Sequence, residues 1–331
     1  MLIVVAPACG PSPSEVGAQS PFSPGHWPAV ELERALQLQT VSQRDAPTAL
    51  AGTATTNIAM VAATADPLAV HAGIEALKSG GTAADAAVTT ALAQIALDVG
   101  GGTSYAGLMT ALYYEAESSQ VHSLNAAYTI PSTFNRPGES VQRRLAVMVP
   151  GFFAGAEELH RRFGRLSWSS LFGPAIWVAD HGVPVGPVLF VGVQEAQAAI
   201  QRSPTAARVL LKPNRQPYAF GELFRQPDLA ATLSEIAVLG TDYVYSGRWA
   251  RHFSEMARAS GADINADDLR SYRAAWMPPL RVQHGEFEVL ALPPPNAGGG
   301  DILSALKLVE ASHVAAAPPA SASADTLFSL V

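Results

Sequence analysis

The chain has 331 residues, a formal net charge of -7 at pH 7 and a pI near 5.6, and its basic residues form no run longer than a pair. This charge balance argues against nucleic acid as a partner. Hydrophobic residues make up 48% and charged residues 15% of the chain, which is typical of a globular protein with a sizeable core. A single cysteine, Cys9, excludes an internal disulfide and a cysteine-based zinc cluster.

The N-terminus resembles the end of a bacterial lipoprotein signal. An apolar run, "MLIVVAPAC", ends at Cys9, and a stretch rich in Pro, Ser and Gly follows. The run is too short for a full signal or a membrane span, and no basic residue precedes Arg34, so an incidental cysteine in a frayed terminus remains open. We expect residues 1–27 to be a signal remnant and tether, with a lipid anchor at Cys9 and a location in the bacterial cell envelope or periplasm.

Residues 28–56 are expected to form an N-terminal extension with a helix near its start, and the body begins at residue 57. "NIAMVAAT" predicts a strand, and the apolar spacing of "LAVHAGIEALKSGG" predicts a helix that ends at glycines. Thr82 and Asp85 have the spacing of a capping box at the start of an Ala-rich, almost uncharged helix, which predicts burial on several sides. "LMTALYYEAESSQVHSLNAAY" then predicts a hairpin.

The second half of the chain predicts mainly helices. Helical patterns recur at 152–163, 167–181, 190–202, 227–238 and 247–260, and Asn265 is placed as the N-cap of a further helix. Two strands joined at His284-Gly285 lead into "LPPPNAGGGDILSALKLVE". The glycine spacing matches neither a Walker loop nor a dinucleotide fingerprint, and Asp301 would compete with a bound anion. We therefore expect either a tight strand-to-helix turn with close backbone packing or the wall of a neighbouring site.

Motifs that bring their own chemistry are few. "GGTSYAG" resembles a nucleophile elbow around Ser104, but Ala106 replaces the final glycine and a helix is predicted where that motif requires a strand. The histidines form neither a His-x-x-x-His nor a His-Glu-x-x-His pair, so we predict no metal site and no cofactor. From the residues alone, the prediction is a mixed α/β globular protein, with a serine hydrolase that uses Ser104 as an alternative.

Four segments, in chain order, resemble the large subunit of the gamma-glutamyltranspeptidase family of N-terminal-nucleophile hydrolases. They are "MVAATADPLAVHAGIEALKSGGTAADAAVTTALA", "VPGFFAGAEELHRRFG", "LFGPAIWVADHGVPV" and "DDLRSYRAAWMPPLRVQHGEFEVLALPPPNAGGG". The resemblance covers residues 57–331, read as a large-subunit region truncated at its C-terminus. It implies an α/β (α+β) fold, a four-layer αββα sandwich that is incomplete in this chain.

The same resemblance implies the chemistry. Such precursors cleave themselves before a Thr, and the freed Thr attacks a γ-glutamyl amide, as in glutathione, with its own α-amine as base. That nucleophile is expected downstream of Val331, so no catalytic residue is predicted in this chain. The implied partners are the small-subunit region of the same precursor and a small molecule with a γ-glutamyl or other acyl amide.

Two departures from the family pattern concern the acyl donor. "LNAAYTIP" puts Ala127 at the family's arginine position, where that side chain pairs with the donor α-carboxylate, and Tyr128 at the glutamate position. An unpaired substrate carboxylate in a closed site costs about 2–5 kcal/mol, so altered donor specificity is expected. The second departure is "SYAG", where the family has a four-glycine loop. The predicted substrate-binding residues are Asn125, Ala127, Tyr128, Arg136, Tyr105 and Gly107. The alternative is a non-catalytic envelope binding or scaffold lipoprotein on the same fold.

Overall fold

The structure, a computed structural model, describes residues 12, 16, 20–40, 53–55, 59–63, 67–99, 102–132 and 147–311. The chain divides into two compact units. Unit 1 comprises Met1–Leu108 and Tyr128–Tyr272, and unit 2 comprises Met109–Ala127 and Arg273–Val331. Cys9 and Arg136 lie outside the described residues. Among the described helices, none has the length and apolar character needed to cross a membrane.

The described elements alternate between helices and short strands, as expected for a mixed fold. The helices are α1 (Ala29–Gln39), α2 (Pro67–Lys78), α3 (Ala83–Leu97), α4 (Phe152–Phe163), α5 (Trp168–Leu171), α6 (Gly173–His181), α7 (Pro187–Arg202), α8 (Pro204–Leu210), α9 (Pro227–Leu239), α10 (Asp242–Tyr245), α11 (Arg248–Ala259), α12 (Ala266–Arg270) and α13 (Ala297–Ala311). The strands are β1 (Thr53–Thr55), β2 (Met60–Ala62), β3 (Met109–Glu115), β4 (Gln120–Ala126), β5 (Val183–Pro184), β6 (Leu223–Phe224), β7 (Ala275–Met277), β8 (Leu280–His284) and β9 (Phe287–Ala291).

Helices α2 and α3 form the centre of unit 1. Helix α2 ends at Lys78 and is followed by Gly80, whose φ of +87° favours glycine, and α3 begins with the predicted capping box between Thr82 and Asp85. Most α3 side chains are buried, including Val88 and Leu92, which are fully inaccessible. The prediction that this uncharged helix is buried on several sides is confirmed.

The other helices of unit 1 follow the predictions with two kinds of difference. Helix α4 has the predicted bounds, but the pattern at 167–181 is two helices, α5 and α6, separated at Phe172. Sequence analysis missed α8 and α10. For α8 a signal was available, since Pro204 lies in its first turn and the Ser203 side chain accepts a hydrogen bond from the Ala206 N–H.

Unit 2 contains the predicted hairpins. Strands β3 and β4 pair antiparallel, and β7 pairs with β4 to give a three-stranded sheet. Strands β8 and β9 form the second hairpin, with Gly285 at a φ of +58° in its turn, and α13 packs on it through a small core of Val282, Ala291 and Leu303. The described residues thus show the predicted mixture of helix and sheet, in sheets of two or three strands.

The glycines after β9 lie inside the first turn of α13, not before it. A Cβ atom on Gly299 would lie far inside van der Waals contact of the Leu292 carbonyl oxygen, whereas Gly298 and Gly300 face open space. The predicted close backbone packing is therefore confirmed at Gly299.

Candidate functional site

The turn at 104–107 is docked on the start of α4 in unit 1. The Gly107 carbonyl oxygen accepts hydrogen bonds from the N–H groups of Gly151 (2.9 Å) and Phe152 (3.0 Å). The Gly107 N–H donates to the Ser104 carbonyl oxygen at 2.9 Å, and a Cβ on Gly107 would lie 2.5 Å from that oxygen. Glycine at 107 is thus required by the turn itself, and the turn uses helix N–H groups that lack a partner within α4.

Tyr105 points from this turn into the core of unit 1. Its hydroxyl donates to the Leu92 carbonyl oxygen at 2.6 Å. Its ring stacks on Phe153, with 5.7 Å between centroids, and meets Phe152 edge-on. Burial raises the pKa of Tyr105 well above its ordinary value, so the hydroxyl stays protonated. The hydroxyl is engaged with α3, and a substrate-binding role for Tyr105 stays a prediction.

Beside Tyr105, unit 1 contains a cavity of about 1060 Å³. Its wall includes Ser104, Phe153 and Trp249. The charged residues of the wall are four bases and two acids, namely Arg208, Lys212, Arg215, Arg225, Asp98 and Asp228. Ion pairs occupy some of them: Arg208 contacts Asp228 at 2.5 Å, and Lys212 contacts Glu222 at 2.9 Å. The cavity is large enough for a small organic molecule.

Ser104 also lies on this turn, and its geometry is local. Its Oγ accepts the Ala106 N–H at 3.1 Å, and its side chain is exposed. The element that precedes the turn is the helix α3, as predicted, whereas a nucleophile elbow requires a strand. The structure therefore adds no support for Ser104 as a nucleophile.

Asn125 and Ala127 lie together at the end of β4 in unit 2. The Asn125 Oδ1 accepts the Ala127 N–H at 3.0 Å, and its Nδ2 donates to the Met277 sulfur at 3.7 Å. Asn125 therefore shapes the chain where β4 ends. The Ala127 methyl group adds no charge at the position where the family pattern has an arginine.

Tyr128 begins the next segment and belongs to unit 1. It is exposed, and the segment after it is held at two points. Thr129 forms an antiparallel bridge with Val149, and the Ser132 N–H and hydroxyl donate to Asp268 Oδ1 at 2.8 and 2.6 Å. The structure thus brings Tyr105 and Gly107 together on one turn and Asn125 and Ala127 together on one strand end.

Sequence analysis did not find the two residues that anchor these segments. Asp268 belongs to the capping box of α12 and accepts hydrogen bonds from Ser132. Burial of the Asp268 carboxyl opposes its ionisation, but the hydrogen bonds to the carboxylate outweigh burial and lower the pKa of Asp268. Tyr245 accepts the Ala154 N–H at 3.1 Å and donates to the Pro150 carbonyl oxygen at 3.0 Å. Burial raises the pKa of Tyr245, so it remains a neutral donor. Of these contacts, only the N-cap at Asn265 was predicted from the sequence.

Comparison with known proteins identifies the family. The gamma-glutamyltranspeptidase family profile matches residues 69–329. The chain is 31% identical over 268 residues to a glutathione hydrolase proenzyme of Bacillus subtilis. This match covers 75% of the chain and 44% of that protein. It is also 31% identical over 273 residues to an acylase proenzyme, ACY 1, of a Pseudomonas strain, covering 76% and 47%.

Solved structures agree with these matches. The Helicobacter pylori gamma-glutamyltranspeptidase superposes with a TM-score of 0.76 at 25% identity, covering 84% of this chain and 81% of that one. The Bacillus anthracis transpeptidase CapD superposes with a TM-score of 0.68 at 28% identity, covering 83% and 88%. The chain belongs to the gamma-glutamyltranspeptidase family, of the N-terminal-nucleophile hydrolase fold, and spans about half the length of the curated relatives it matches.

Proposed function

We propose that this chain is the large-subunit region of a gamma-glutamyltranspeptidase-like amidohydrolase or acyltransferase, and that its acyl donor differs from an ordinary γ-glutamyl group. Family membership supports the reaction class. The single observation on which the altered donor rests is Ala127, which follows β4 and has a methyl group where the family pattern has an arginine. One of the matched relatives is named an acylase and another a glutathione hydrolase. The names of matched relatives therefore refer to different substrates, which is consistent with a different donor here.

The physical argument concerns the donor's α-carboxylate. An arginine would bind it through two charge-assisted hydrogen bonds, and a methyl group offers none. The neighbouring Asn125 side chain ends in a neutral amide whose Nδ2 donates to the Met277 sulfur at 3.7 Å, so it supplies no positive charge in place of the guanidinium. A donor without an α-carboxylate loses nothing at this position. We therefore propose that acyl amides lacking that charge are better substrates than γ-glutamyl amides.

Maturation is proposed to follow the pattern that the resemblance implies. The precursor would cleave itself before a Thr in the part of the protein that this chain does not cover, and the freed Thr would be the nucleophile. Both curated relatives are named as proenzymes, which supports this step. The small-subunit region of the same precursor would be the partner. A location in the bacterial envelope, with a lipid anchor at Cys9, remains a proposal that rests on the N-terminal sequence alone.

The alternative is a non-catalytic binding or scaffold protein on the same fold. The missing arginine favours it too, and so does the Tyr105 hydroxyl, which binds the Leu92 carbonyl oxygen inside the protein. A denaturing gel of the full-length precursor separates the two proposals. Two fragments that appear from one purified chain support the enzyme, whereas a single uncleaved band under native conditions supports the scaffold.

Donor recognition is tested with the full-length precursor and γ-glutamyl-p-nitroanilide. We expect slow release of p-nitroaniline by the natural protein and at least a tenfold gain in kcat/KM for Ala127→Arg, equivalent to about 1.4 kcal/mol of binding. The gain should appear mainly in KM if the new guanidinium binds the carboxylate in the ground state.

Ala116→Arg is the matched control, because it makes the same substitution in the exposed turn of the same hairpin. It should leave the kinetics unchanged. Efficient turnover of γ-glutamyl-p-nitroanilide by the natural protein would refute the argument from the missing arginine.

A further inference from the structure

Three potential metal ligands meet where α1 packs on α2 in unit 1. The His71 Nε2 atom lies 3.0 Å from Oε2 of Glu31 and 3.6 Å from Oε1 of Glu75. One ligand atom from each residue lies within 4.8 Å of the other two. Glu31 comes from α1, and His71 and Glu75 are one turn apart on the same face of α2.

Two of these distances are close to the edge of a zinc coordination tetrahedron. Zinc binds imidazole nitrogen and carboxylate oxygen at about 2.0–2.2 Å, so two ligand atoms on one tetrahedral ion are about 3.3–3.5 Å apart. The observed separations from His71 Nε2, 3.0 and 3.6 Å, lie on either side of that value. The two carboxylate oxygens lie within 4.8 Å of each other, and zinc binding requires them to be a tetrahedral edge apart.

The histidine is prepared for this role. Its Nε2 atom is buried, and Trp27 packs edge-on against the ring with 4.4 Å between centroids, which fixes the ring's orientation. An imidazole nitrogen is a common metal ligand in proteins.

We propose that Glu31, His71 and Glu75 form a zinc site that fastens the N-terminal helix α1 to α2, with a water molecule as the fourth ligand. The Glu31 side chain is 42% exposed, so solvent has access to the open position. One histidine and two carboxylates suit a borderline ion such as Zn²⁺. Glu31 precedes residues 69–329, which the family profile matches, whereas His71 and Glu75 lie within them.

Lys78 competes with the ion in the structure. Its Nζ lies 2.6 Å from Oε1 of Glu75, the oxygen that also faces His71, and its side chain is half exposed. Zinc would displace this ammonium group into solvent. A variant without the ammonium group should therefore bind zinc more tightly, which a mere ion-pair cluster does not predict.

The test is competition for Zn²⁺ between the metal-stripped full chain and a chromophoric chelator, together with the visible absorption of bound Co²⁺. We expect one equivalent of tight binding and a Co²⁺ spectrum of four-coordinate intensity. Zinc affinity should fall at least about tenfold in Glu31→Gln and in Glu75→Gln, fall further in His71→Ala, and rise severalfold in Lys78→Met.

His252→Ala is the matched control, because His252 also faces a glutamate, Glu255, one turn away, and no third His, Cys, Asp or Glu ligand joins that pair among the described residues. Glu31→Gln distinguishes loss of a zinc ligand from misfolding, because Glu31 is partly exposed and its replacement leaves the buried side of α2 unchanged. Circular dichroism checks that each variant keeps its helical structure. The proposal is overturned if the natural chain binds no zinc in the micromolar range, or if His71→Ala and Glu31→Gln bind as well as the natural chain does. Neither result bears on the proposed acyl transfer.

Discussion

The two units hold their turns in different ways. In unit 1, buried carboxylates connect segments that are distant in the chain: Asp85 accepts the Arg165 N–H at 2.9 Å, and Asp268 accepts the Ser132 N–H at 2.8 Å. In unit 2, the turn between β9 and α13 depends on backbone contact, because Gly299 lies directly against the Leu292 carbonyl. The Asp85 and Asp268 junctions of unit 1 thus rely on charge and hydrogen bonds, and the Gly299 turn of unit 2 relies on the absence of a side chain.

This difference has consequences for what each unit tolerates. A buried carboxylate with several N–H donors is stabilising only while it is ionised and fully bonded, so it is sensitive to substitution and to acid. A close backbone contact is sensitive to volume and indifferent to pH.

Asp85→Ala should have the largest effect. The Asp85 side chain is fully buried, and its Oδ2 accepts hydrogen bonds from the N–H groups of Thr82 at 2.8 Å and Arg165 at 2.9 Å. Removal of the carboxylate leaves these donors without a partner and also removes the capping box of α3. We expect a loss of about 3 kcal/mol in the free energy of unfolding, measured by urea titration with circular dichroism.

The matched control is Asp267→Ala, because the Asp267 side chain is 81% exposed and pairs with Arg270 across one helical turn. Its loss should change the free energy of unfolding by no more than about 0.5 kcal/mol. If Asp85→Ala cost no more than this control, the view that buried carboxylates hold unit 1 together would be wrong.

Gly299→Ala should come next, at about 2 kcal/mol. The added methyl group meets the Leu292 carbonyl oxygen, which is backbone and cannot rotate away. Gly298→Ala and Gly300→Ala add the same group to the same helix in open space, so they should range from no change to a gain of about 1 kcal/mol. Equal effects for all three variants, measured as urea midpoints, would show that helix propensity and not backbone contact decides.

Local signals made much of this fold predictable. The bounds of α4 and the caps at Thr82 and Asn265 could be read directly, because each depends on residues within one or two turns. The partners that Asp85 and Asp268 contact far away in the chain could not be predicted from the sequence. Asp85 meets Arg165 across 80 positions and Asp268 meets Ser132 across 136, and no local rule connects such residues.

The candidate site shows the same limit. The replacement of an arginine by Ala127 was visible from the resemblance, but the direction of Tyr105 was not, since its contact with Leu92 is made by tertiary packing. The His71 cluster escaped notice because a search for paired histidines ignores the spacing from His71 to Glu75, and because Glu31 is contributed by another helix.

Asp268→Asn tests the contrast through pH. Hydrogen bonds from Ser132 lower the pKa of Asp268 in the folded protein despite its burial, so the carboxylate stabilises the fold above its unfolded pKa of about 3.9. As pH falls through the lower folded value, the natural protein takes up a proton and loses that stabilisation. We expect Asp268→Asn to be less stable by about 1–2 kcal/mol at pH 7, because an amide NH₂ then faces N–H donors.

The test is how the difference in unfolding free energy between Asp268→Asn and the natural protein changes with pH. Urea midpoints at pH 7, 5 and 3.5 should show the gap between Asp268→Asn and the natural protein nearly constant from pH 7 to 5 and narrowing at pH 3.5. The gap for Gly299→Ala should not change over the same range, because no ionisable group takes part in that contact. A gap for Asp268→Asn that stays constant down to pH 3.5 would mean that the carboxylate's charge contributes nothing to the junction with Ser132, and that the two units differ less than their contacts imply.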